Sequence, residues 1–225
     1  MGPVQATAAK IPIAQVKPRL RGVSHEYAFF VSVGCGVALI LAASDGRARL
    51  AASIYAGAVS ALLGTSTLYH RVDWRPAARR WVRRLDRSMI YVLIAASYTP
   101  FALLALHGAL ATVVLVVVWA GAFGGTMLQL VWPDHPKWVA VVVSIALGWV
   151  AVATLTQLPA SIGWWAIGAL VLSGALYTAG AVIYARERPN PKPGVFGYHE
   201  LFHALVLAAA AIHYAVVAFV VLPLG

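Results

Sequence analysis

The chain comprises 225 residues, 61% of them hydrophobic and only 11% charged, with a mean hydropathy of +0.81 and a formal charge of +10. A soluble domain of this length has too little interior to hide so much apolar surface, so the composition excludes one and points to a bilayer as the missing apolar solvent. The basic residues fall between apolar runs, which argues against nucleic acid as a partner and for anionic membrane lipids.

Residues 1–23 are polar and basic, with Pro3, Pro12 and Pro18. They lack the apolar core of a secretion signal and are expected to remain as a short, flexible, uncleaved cytoplasmic tail. Seven apolar runs follow, near 24–44, 49–71, 86–106, 109–131, 137–157, 162–185 and 198–222. Each is close to the ~20 residues that one spanning helix needs, and none shows the alternation of a barrel strand. The expected fold is all-α: one domain over residues 24–225, a seven-transmembrane helix bundle.

In chain order, the first run carries the sole cysteine, Cys35, which reads as a small hydrophobe. Ser44, Asp45 and Gly46 form a turn before the second run. Residues 71–84 read as a basic loop containing Pro76, with Arg79 to Leu85 as a short amphipathic turn along the inner leaflet. In the third run Pro100 predicts a kink, with Ser97 or Thr99 taking up the freed carbonyls. Gly121, Gly124 and Gly125 of the fourth run permit close helix approach. Two prolines and Trp132 break the chain before Lys137. Trp164 and Trp165 suit the headgroup belt, and residues 189–194 form a stiff connector.

Basic residues set the orientation. With the N-terminus inside and the C-terminus outside, 15 of the 17 Lys and Arg residues face the cytoplasm, leaving only Arg47 and Arg49 outside.

Three segments place costly polar groups at membrane depth. The second run ends in Ser66 to His70, the third begins at Arg84, Leu85 and Asp86, and the seventh begins Tyr198, His199, Glu200, Leu201, Phe202, His203. Even helices end, and odd helices start, on the side of the N-terminus, so His70, Asp86, His199 and His203 share one face. His199 and His203 are four apart and stack one turn above the other. Ser66 stands in the same relation to His70. Three imidazoles with an open fourth position match a catalytic zinc site, and all-nitrogen ligation suits zinc better than magnesium or calcium. Asp86 is placed to take a proton from a metal-bound water. His199 to His203 also matches H-E-x-x-H, the zinc-protease pattern in which the glutamate is the base, so Glu200 competes with Asp86 for that role. The alternative for the whole cluster is a buried polar network without metal. His25, with Glu26, opens the first helix on the same face, either supporting the ligands or simply starting the helix. His107 and His135 read as solvated loop residues. His213 lies about 15 Å beyond His203 along the helix, and reads as a core residue hydrogen-bonded to a neighbour.

These residues resemble the haemolysin III family, the bacterial branch of the progestin and adiponectin receptor group. The resemblance is carried by Lys17 to His25, Ser66 to Arg71, Arg84 to Asp86, Tyr98 to Phe101 and Gly197 to His203, in the family's order. It implies a seven-helix bundle, N-terminus inside, with zinc near the cytoplasmic end held by His70, His199 and His203, and with Ser66 and Asp86 at the family's serine and aspartate positions. Two positions depart from it. Arg87 stands where many bacterial members have histidine, and Glu200 is acidic where the eukaryotic receptors are not. The resemblance thus favours Asp86 over Glu200 as the base.

Because the receptor branch resembles ceramidases, the function implied is a zinc-dependent hydrolase of a lipid amide in a bacterial inner membrane. The alternatives are a regulator or receptor with structural zinc, a pore-forming haemolysin, or an intramembrane protease. Nothing in the sequence resembles a soluble-to-membrane switch, so pore formation has little support.

Overall fold

The computed structural model describes residues 17–225, so most of the expected tail, including Pro3, Lys10 and Pro12, lies outside the described residues. Among the described residues, seven helices long and apolar enough to cross a membrane follow one another. They are α1 (Val23–Leu41), α2 (Gly46–Arg71), α3 (Pro76–Leu104), α4 (Gly108–Val131), α5 (Lys137–Gly148), α6 (Leu158–Arg186) and α7 (Tyr198–Val216). The fifth span is completed by a 3-10 segment, Trp149–Thr156, and the seventh by a π turn, Val217–Val221, and a short 3-10 end, Leu222–Leu224. Among the described residues there is no strand, only one bridge between Lys192 and Phe196 in the α6–α7 connector. The chain is an all-α multi-pass membrane protein.

Local chemistry sets the ends. Asp45 caps α2, accepting from the Ala48 N–H at 2.7 Å. Helix α3 begins ten residues before the expected 86, because Pro76 occupies its first turn. Proline there has no N–H to waste, and Arg75 before it is extended, as proline requires of its predecessor. The expected basic loop and interfacial turn are therefore mostly the first turns of a 29-residue helix about 44 Å long. That exceeds the hydrocarbon thickness of about 30 Å. Helix α6 also starts earlier than expected, at Leu158, and breaks at Gly163, whose φ of 77° is left-handed.

Helix α3 sits at the centre, packing on α2, α4, α5 and the C-terminal π turn, while α1 packs on α2 and α7. Small residues allow close approach: Ala48, Ala51, Ala52 and Ala56 of α2 are buried. A Cβ on Gly125 would lie 2.5 Å from the Tyr91 ring, and one on Gly121 would lie 2.5 Å from Leu147, but Gly124 faces open space. Two of the three expected contact glycines are therefore contacts. At Pro100, Ser97 and Thr99 bond the carbonyls of Leu93 and Ala95, not that of Ala96, which proline frees. Phe30, Phe123, Trp164 and Phe219 are among the large apolar side chains left exposed, the surface expected of a lipid-facing bundle.

Candidate metal centre

The end of α2 and the start of α7 meet although 129 residues separate His70 from His199, whose Nε2 atoms face each other at 3.2 Å. His203, one turn on, completes the group: the three imidazoles each present a nitrogen, all within 4.8 Å of one another. Two nitrogens on a tetrahedral zinc at 2.0–2.1 Å stand about 3.3 Å apart, so the His70–His199 spacing already fits a shared ion. The Nδ1 of His203 is buried and has no hydrogen-bond partner among the described residues. Independently of that atom, a donor set of three neutral imidazoles fits a divalent metal.

Ser66 is 3% exposed and sits one turn before His70. Its hydroxyl meets His25 Nδ1 at 2.8 Å, and Asp86 lines the same cavity. All five expected site residues, His70, His199, His203, Ser66 and Asp86, line one cavity of about 1080 Å³. Its walls are mostly apolar further along, and it extends to Phe101, Leu158 and His213. His213 contacts the Ser97 carbonyl at 3.4 Å, a core residue bonded to a neighbour as expected.

Glu200 is turned away from this group. It is buried, pairs with Arg21, and accepts from the Gly197 N–H at 2.8 Å, capping α7. The H-E-x-x-H match is thus formal, since its carboxylate is occupied as a helix cap. Arg87 donates to the Pro133 carbonyl at 3.0 Å, tying α3 to the α4–α5 connector. His135 is a correction: expected to be solvated, it is buried at 6% exposure, held by the Pro136 carbonyl at 3.0 Å. His107 is exposed, as expected.

Some contacts were not foreseeable from local pattern. Lys17 Nζ donates to the His70 carbonyl at 2.6 Å, and the N–H groups of Arg19 and Leu20 bond the carbonyls of Gly194 and Val195. From Lys17 onward the expected flexible tail is instead packed, and it straps the end of α2 to the α6–α7 connector and the first turn of α7. Only the Arg21–Glu200 charge complementarity could have hinted at it. Tyr91 accepts from Gln129 Nε2 at 3.2 Å, a buried polar pair without a sequence signature.

The family described as Haemolysin-III related matches residues 13–214. The chain is similar to Hemolysin-3 of Bacillus cereus, 28% identical over 204 residues covering 89% of this chain and 90% of that one. It is similar to the Hemolysin-3 homolog of Bacillus subtilis, 31% identical over 192 residues, 84% and 87% of the two chains. It is also similar to the human monocyte to macrophage differentiation factor, 29% identical over 171 residues, 74% and 68% of the two chains.

Proposed function

The chain belongs to the haemolysin-III-related family, and on that premise we propose that it is a zinc-dependent hydrolase of a membrane-embedded lipid amide. The observation that carries the reading is the convergence of three imidazoles with Asp86 and Ser66 on one largely apolar cavity. His70, His199 and His203 would hold the zinc. When bound, zinc supplies Lewis acidity at the amide carbonyl and makes water acidic enough to ionise near neutral pH. Asp86 takes a proton from the water that attacks the carbonyl carbon. It returns that proton to the amide nitrogen as the C–N bond breaks, releasing a fatty acid and an amine. Ser66 donates to the oxygen on which charge develops. The apolar walls take the acyl chain and exclude water.

Purified protein incubated with a panel of N-acyl lipids in mixed micelles is expected to release free fatty acid, and release must stop with His203→Ala. No release from any member, or release unaffected by that change, overturns the reading. A structural metal without turnover is then the outcome left.

The proposed location is the cell membrane, N-terminus inside. A C-terminal alkaline phosphatase fusion is then expected to be active and a C-terminal green fluorescent fusion dark; the reverse result inverts the topology.

A further inference from the structure

A histidine that ligates a metal is ordinarily held by a hydrogen bond at its other ring nitrogen. The Nδ1 of His203 is buried and has no such partner among the described residues. Its ring instead lies flat against that of His25, with centroids 3.8 Å apart and planes within 8°. A parallel stack at that distance is van der Waals contact over the whole ring, so turning His203 would drive it into its neighbour.

His25 is itself held at one ring nitrogen, its buried Nε2 having no partner among the described residues. It is 3% exposed, lies in the first turn of α1, and its Nδ1 shares a hydrogen bond with Ser66 Oγ at 2.8 Å. The preceding Gly22 lets α1 start this close to α2. Its φ is 81°, and a Cβ there would come within 2.5 Å of His70 Cβ. His25 is not one of the three residues whose ligand nitrogens cluster, so its place is beside the ion rather than on it.

We infer that His25 is a positioning residue of the metal centre. By stacking on His203 and bonding Ser66, it sets from α1 the ring plane of one ligand and the direction of the hydroxyl beside the scissile carbonyl. This rests on the zinc reading above.

The test uses the full-length protein. Zinc affinity is measured by chelator competition, the absorption spectrum is recorded with Co(II) substituted, and the thermal stability of the metal-free form is followed as a control. His25→Ala is expected to weaken zinc binding about 10- to 100-fold and to alter the Co(II) spectrum. His25→Phe keeps a flat ring on His203 and is expected to restore most of the affinity, while leaving Ser66 without its partner. Unchanged affinity and spectrum in His25→Ala would overturn the inference. So would a His25→Phe protein, folded to the wild-type melting temperature, that binds zinc no better than His25→Ala. Wild-type protein that takes up no stoichiometric metal removes the zinc reading itself, and this inference with it.

Discussion

Replacing His203 with alanine is expected to leave the purified protein essentially metal-free, where wild type is expected to carry one equivalent of zinc. Three ligands are the minimum that holds a catalytic zinc with one position open, so losing any one removes a third of the coordination. His70→Ala and His199→Ala are expected to do the same, since the three nitrogens lie together with none to spare. Stability gives a second readout. A ligand that binds only the folded state stabilises it by about 4 kcal/mol at a thousandfold excess over its Kd. Chelation should therefore lower the melting temperature of wild type and leave the histidine variants where they already are. Elemental analysis of the four proteins decides the matter: equal metal in all of them would reduce the cluster to a hydrogen-bonded histidine network.

Asp86→Asn is expected to cost about 10²- to 10⁴-fold in turnover, the usual range for losing a general acid or base. The change is nearly isosteric and Asp86 is not one of the clustered ligands, so metal content should stay at the wild-type level. Glu200→Gln is the informative contrast. It breaks the buried pair with Arg21 and weakens the α7 cap, so it should cost on the order of 1.5–3 kcal/mol of stability. Turnover per folded molecule should change little. If instead Glu200→Gln abolished activity and Asp86→Asn spared it, the base would be Glu200 and the chemistry closer to that of a zinc peptidase.

The seven spans were legible because a bilayer imposes a long, continuous apolar requirement that short soluble elements do not. The histidine cluster was legible for a related reason. His70, His199 and His203 are polar groups where polarity is expensive, and helix parity placed them on one face. What local pattern did not reveal was the competition for each side chain. Pro76 signals a break in isolation, yet a proline also starts helices, and the arginines behind it are compatible with either state. Glu200 fits a catalytic pattern, but only tertiary structure supplies Arg21 to claim it. His135 lies between prolines and so looks exposed, although the α4–α5 connector folds it inward. His25 was legible as a neighbour of the cluster, but its stacking on His203 depends on the pitch at which α1 meets α7.

The separation of His70 and His199 along the chain also sets an order of assembly. At about 5–20 residues per second, roughly 6 to 26 seconds pass between synthesis of the first clustered histidine and the second. Throughout that interval six helices can insert while the nascent chain has only one of the three imidazoles. The proposed metal capture is therefore a terminal event of biogenesis: it can seal a bundle whose last helix has docked, and a chain truncated before α7 lacks two of the three clustered histidines.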